Sequence, residues 1–171
     1  MSFLDLVKRR QTIRKYNPEK PVEQEKIDNI LEAMRLAPTA KNKQPQKVFL
    51  LRSQQALDKI NQCSPCIYGA PIVFLVCFDT ELEWVRPFDN FDGGWFDASI
   101  VTTHMMMQAT MDKLGSTWVE YFDPALVKQT FDLPDNLVPA ALLLVGYPAD
   151  DCPESPNHNK SRKLDEMLTT L

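Results

Sequence analysis

The sequence predicts one compact α+β domain spanning residues 1–171, on three observations. Segments of strand length, at 48–51, 72–78 and 140–146, are apolar throughout. Other segments, above all those around 23–37 and 95–114, carry apolar residues at helical spacing. The two kinds are mixed without strict strand–helix alternation, with no internal repeat and no evident linker. At 171 residues, 44% apolar and 25% charged, the chain is long enough for a sizeable core, and its composition argues against disorder.

The elements follow in order. Phe3, Leu6 and Val7 mark one face of a short opening helix, and one further turn reaches Arg10. Pro18 and Pro21 break the chain after the basic stretch that follows. A second helix from about Glu23 should bury Ile27, Ile30, Leu31, Met34 and Ala37 and end at Pro38, because proline disfavours helix at the preceding residue. Pro38-Thr39-Ala40-Lys41-Asn42-Lys43-Gln44-Pro45 is a polar loop. By composition it reads first as a plain connection and second as a binding loop. A strand at 48–51 and a short helix at 54–62 come next. The unalternating apolar run 72–78 predicts a strand covered on both faces.

Residues 79–94 are acidic and aromatic and read as irregular; their aromatics either cover a pocket or partner, or pin the loop to its own core. The segment 95–114 predicts the longest helix. Ala98, Val101, Met105, Ala109 and Asp112 share one face, and Ile100, His104, Met107 and Met111 another, so it should be central or shared with a second subunit. The run Met105-Met106-Met107 reads as soft packing, His104 as a core or interface residue, and Gly115 as the helix cap. A strand at 116–119 precedes Asp123, which can cap a helix starting at Pro124. The strand at 140–146 ends the core, and a polar, proline-rich tail runs from Tyr147 to Lys160-Ser161-Arg162.

Composition excludes several function classes. A net charge of −4 argues against general nucleic-acid binding. The amphipathic, charged N-terminus and the four cysteines suggest a reducing cytoplasm and free thiols. Cys63-Ser64-Pro65-Cys66 has redox-motif spacing but lies in a loop context unlike a thioredoxin site, and His104 and His158 form no zinc-ligand pair. No apolar run is long enough to span a bilayer. The five glycines build neither GxGxxG nor GxxxxGK[ST], and GxSxG and HExxH are absent.

One stretch, Arg9-Arg10-Gln11-Thr12-Ile13-Arg14-Lys15-Tyr16, has no evident structural role. It is either a solvated basic turn or a phosphate site, for which guanidinium forks, a hydroxyl and backbone amides are suited. A second basic cluster, Lys160, Arg162 and Lys163, stands at the opposite end of the chain, and the two ends can meet around one anion.

Taken together, these segments resemble the FMN-dependent nitroreductases, or NAD(P)H:flavin oxidoreductases, of the small bacterial type. Arg10-Gln11-Thr12-Ile13-Arg14 resembles the family's opening Arg-x-Ser-x-Arg/Lys, and 38–45 its Pro-Ser-x-x-Asn-x-Gln-Pro loop. The segment 118–123 is similar to the one passing over the flavin, Gly146-Tyr147-Pro148 to the end of the last core strand, and Lys160-Ser161-Arg162 to the C-terminal Lys/Arg pair.

The resemblance implies a nitroreductase-like α+β fold with a central, mostly antiparallel sheet flanked by helices. It also implies an obligate homodimer with FMN at the subunit interface. By match, Arg10, Gln11 and Thr12, with Lys160 and Arg162, would hold the phosphate and ribityl chain. Arg14 would lie at the pyrimidine edge and stabilise the reduced ring. Pro38, Thr39, Ala40 and Asn42 would reach the flavin from the other subunit, and Glu120 and Tyr121 would supply backbone near N5. No protein nucleophile is implied; hydride would pass from NADH or NADPH through flavin N5 to a nitroaromatic, quinone or similar small acceptor in ping-pong fashion. Thr12 in place of serine keeps the hydroxyl. Gln46, where tryptophan is frequent, Tyr121, where some members have glycine, and Lys163-Leu164 in place of Leu-Pro leave the acceptor open. A flavin- or anion-binding homodimer without substantial turnover is the alternative.

Overall fold

The structure, a computed structural model, describes residues 2–171. Its centre is a four-stranded antiparallel sheet in the order β1-β2-β6-β5, formed by β1 (Gln46–Leu51), β2 (Ile72–Asp79), β5 (Gly115–Val119) and β6 (Leu137–Gly146). The two central strands are the two most apolar segments, as covered strands must be. Along β2 the side chains alternate between two cores. Val73, Leu75 and Cys77 pack on one side with Leu142 and Leu144, under α3 (Gln54–Cys63) and α5 (Pro124–Thr130). Phe74, Val76 and Phe78 pack on the other with Leu143 and Val145, under α2 (Gln24–Leu36) and α4 (Gly94–Met111). The α+β architecture is thus a helix–sheet–helix sandwich.

Local signals set the helix ends. Ser2 and Asp5 form a reciprocal capping box on α1 (Phe3–Arg9), Ser53 caps α3, and Asp123 accepts from the amides of Ala125 and Leu126 ahead of a proline at the start of α5. The expected buried stripe of α1 is realised only at Leu6; Phe3 is 73% exposed and Val7 45%. These side chains, with Ile100 and Met111 of α4, leave an open apolar face, with Phe3, Met107 and Met111 lining a groove of about 270 Å³.

Two expectations are corrected. The segment 79–94 is not wholly irregular: β3 (Val85–Arg86) pairs with β4 (Phe91–Asp92) in a short ribbon, tied by Arg86 to Asp89. Gly115 does not cap α4. The helix ends at Met111 with Asp112 as its C-cap, Lys113 takes the left-handed conformation (φ 62°), and Gly115 opens β5. Its hydrogen is needed because Ile13 lies directly over it. Among the described residues no helix is long and apolar enough to cross a membrane, and all four cysteines are free.

Candidate cofactor site

The basic stretch is an added edge of the sheet. Beyond α1, residues from Arg10 onward run extended beside β5: Thr12 bridges Ser116 in parallel, and the Ile13 amide donates to the Ser116 carbonyl at 3.0 Å. The Thr117 hydroxyl donates to the Ile13 carbonyl and accepts from the Tyr16 hydroxyl. Tyr16 then bridges Pro148, and the Asn17 amide donates to the Tyr147 carbonyl at 2.8 Å. Side chains alternate on extended backbone. Ile13 (3% exposed) turns into the core, whereas Arg10 and Thr12 stay half-buried and Arg14 exposed.

This edge carries unpaired positive charge. Arg9, Arg10, Arg14 and Lys113 form no ion pair among the described residues, whereas Lys15 pairs with Asp151. The Cys66 thiol, then burial, push the pKa of Tyr68 up, and the nearby Arg14 guanidinium pulls it down. Next to this edge, Arg9, Gln11, Thr110, Lys113 and Pro148 line a groove of about 180 Å³. The Gln11 Oε1 atom is buried there without a hydrogen-bond donor. Lys113 is not legible as a partner of this stretch in the sequence, because its meeting with Arg9 requires the end of α4 to lie beside the end of α1.

The loop after α2 is held in an unusual shape. Ala40–Asn42 forms one 3₁₀ turn, and Lys41, Asn42 and Gln44 have φ of 51°, 55° and 51°. Left-handed backbone is uncommon for residues other than glycine, asparagine being the least reluctant, and consecutive examples persist where surrounding bonds hold them. Here the Gln44 amide donates to Thr39 Oγ1 at 3.0 Å, the Asn42 amide to the Thr39 carbonyl at 2.9 Å, and the Ala40 amide to Asp97 Oδ1 at 2.8 Å. Pro38 and Asn42 are exposed.

The segment 120–123 leaves the end of β5 and is fixed from below. Ser64, 2% exposed, donates to the Tyr121 carbonyl at 2.7 Å and accepts from the Cys66 amide at 3.1 Å. The Asp123 amide donates to the Cys63 carbonyl at 3.0 Å. The Cys63-Ser64-Pro65-Cys66 turn is therefore a bracket for 120–123. Cys63 is buried, with its thiol against the Lys59 carbonyl and the Thr130 hydroxyl. Tyr121 projects outward, 74% exposed. A cavity of about 390 Å³ opens beside Glu120, Trp118, Phe122, Trp95, Ser99 and Pro139.

The edge strand thus lies beside β5 at Ser116, and segment 120–123 follows the end of that strand; the groove at Gln11 and the cavity at Glu120 share no lining residue. Lys160 and Arg162 are not drawn in by any hydrogen bond. Their contacts among the described residues stay within the tail, to Asn157 and to Glu166. The donor set fits a phosphorylated flavin: unpaired guanidinium and ammonium groups suit a phosphate, and the orphaned Gln11 oxygen suits a ribityl hydroxyl.

Comparison with known proteins agrees. The family model described as the nitroreductase family matches residues 7–64 and 62–147. A crystal structure of a nitroreductase family protein from Clostridium difficile 630 superposes with a TM-score of 0.93 at 40% identity, covering 100% of both chains. The FMN reductase [NAD(P)H] of Bacillus subtilis is 26% identical over 185 residues, 94% of this chain and 74% of the relative. An FMN-dependent nitroreductase from Clostridium difficile R20291 shares the fold, with a TM-score of 0.76 at 23% identity over 97% of this chain and 94% of that one. With its sheet order, its basic edge strand and these matches in agreement, the chain belongs to the nitroreductase family.

Proposed function

We propose that the chain, as one domain, binds FMN and acts as an NAD(P)H-dependent oxidoreductase on a small acceptor of the nitroaromatic or quinone class. The observation that carries this reading is the basic edge strand. Arg10, Thr12 and Arg14 are held in register beside β5 with no carboxylate partner for either arginine among the described residues. When bound, FMN supplies a ring that takes up and gives out a hydride equivalent.

The chain's own residues supply position and charge. Arg10 and Thr12, with the Gln11 amide, bind the phosphate and ribityl chain; Lys160 and Arg162 join them when the tail closes on that end. Arg14 stabilises the negative charge that two-electron reduction places at the pyrimidine edge. Thr39, Ala40, Asn42 and Pro38 reach the flavin of a second subunit, so the working unit is a homodimer. Glu120 and Tyr121 present backbone near the reacting face. Trp95, Trp118 and Phe122 give the cavity beside Glu120 an apolar wall against which a planar acceptor can pack.

The test is spectroscopic. Purified protein, loaded with FMN, should show flavin bands that bleach under anaerobic NADH or NADPH and return on adding a quinone or nitroaromatic. Flavin bands that persist with both donors would favour a binding protein without turnover.

A further inference from the structure

The loop carrying Thr39, Ala40 and Asn42 holds a backbone shape that is costly for residues with a side chain. Three of its residues are left-handed without being glycine, and one of the bonds that restrain it comes from outside, from Asp97. That carboxylate lies in the first turn of α4, 57 residues away in sequence, and is 2% exposed. A buried negative charge is tolerated there because the amides at the start of a helix carry positive partial charge. One oxygen, Oδ1, accepts the Ala40 amide at 2.8 Å; the other, Oδ2, is buried with no partner. A carboxylate kept out of water for a single bond is costly.

We infer that Asp97 is a positioning residue of the cofactor site: its carboxylate seats Ala40 and thereby sets the left-handed turn at Lys41 and Asn42 that the loop offers to the flavin. The inference rests on the reading of that loop as a flavin contact. Thr39 closes the far side of the turn through the Gln44 amide. Asp97 closes the near side and ties it to α4, so the loop moves with the helix rather than with solvent.

Two substitutions separate this role from general stability. Asp97→Ala removes the acceptor. Asp97→Asn keeps an amide oxygen for Ala40 and removes the charge. Both are titrated as flavin-free full-length protein with FMN, by fluorescence, and the melting temperature of each flavin-free variant is recorded alongside. The expected result is a dissociation constant raised about tenfold in Asp97→Ala, the scale of one hydrogen bond to a charged group. Most of that loss is recovered in Asp97→Asn, whatever the order of the two melting temperatures. Affinity in Asp97→Ala equal to the parent overturns the inference while leaving FMN binding in place, as does a loss in Asp97→Asn as large as that in Asp97→Ala. Parent protein that takes up no FMN overturns the functional reading, and the positioning role with it.

Discussion

Replacing Gly115 with alanine is a direct probe of how the basic edge strand is seated. A Cβ at 115 would stand 2.6 Å from Ile13 Cγ1 and 3.0 Å from both Ile13 Cβ and Cγ2. Carbon atoms pack at about 3.5–4.0 Å, so three atoms overlap at once. They cannot swing away easily, because they lie at the branch point of a stiff side chain. Nor can the residue retreat: Ile13 is 3% exposed, and its amide and carbonyl are held by Ser116 and Thr117. The strain is relieved by lifting the edge strand, and Arg10, Thr12 and Arg14 move with it.

Overpacking of this kind costs about 1–3 kcal/mol. Without the clash, a glycine-to-alanine change would stabilise by about 0.4–1 kcal/mol, so the sign alone decides. The assay is urea unfolding at one protein concentration. It is run on Gly115→Ala, Ile13→Ala, Ile13→Val and the double variants. Ile13→Ala removes Cγ1 and Cγ2, so its double variant should lose about 1 kcal/mol less than the sum of the singles. Ile13→Val keeps all three contacting atoms and should give no such relief. A Gly115→Ala protein as stable as the parent, or strict additivity with Ile13→Ala, refutes this packing.

Further outcomes are expected. Arg10→Ala should weaken FMN binding by at least about 1.5 kcal/mol, more than tenfold; an unchanged dissociation constant by fluorescence titration removes Arg10 from the phosphate site. Ser64→Ala takes away the bond that holds the Tyr121 carbonyl and should slow anaerobic flavin bleaching by NADH about fivefold, the worth of one neutral hydrogen bond. Stopped-flow traces that overlay the parent's would contradict it. Glu83 accepts the Gly94 amide at 2.7 Å in a buried position, and burial raises its pKa above the ordinary 4.5. The folded chain therefore keeps a proton that the unfolded chain has released, and stability falls as pH rises from about 4.5 towards the raised value. Glu83→Gln should flatten that dependence in thermal melts; parallel pH slopes for the two proteins would show that Glu83 is not the group responsible.

What the sequence made legible was local. The unbroken apolar run of β2, the Asp123-Pro124 start of α5 and the Pro38 stop of α2 each carry their signal within a few residues, and each stands in the structure. The resemblance added the sheet's antiparallel character. What escaped depends on partners far along the chain. Thr12 lies beside Ser116, and that pairing, invisible to periodicity, is why Gly115 belongs to a strand rather than a helix cap. Asp97 reads as an ordinary first-turn acid until Ala40 is placed over it. Ser64 was hidden inside a motif conspicuous for its cysteines; its hydroxyl, not their thiols, reaches the segment at 121. The exposed side chains of α1 and α4 show the converse, an apolar pattern that the chain's own fold leaves uncovered.

That the basic edge strand and the loop after α2 serve a redox flavin is tested most directly by one visible absorption spectrum. It is taken on the FMN-incubated protein, before and after anaerobic addition of NADH and of NADPH. Flavin bands that bleach with at least one donor are the expected result, and the faster donor identifies the nucleotide preference. A protein that retains no flavin after incubation with FMN would contradict it.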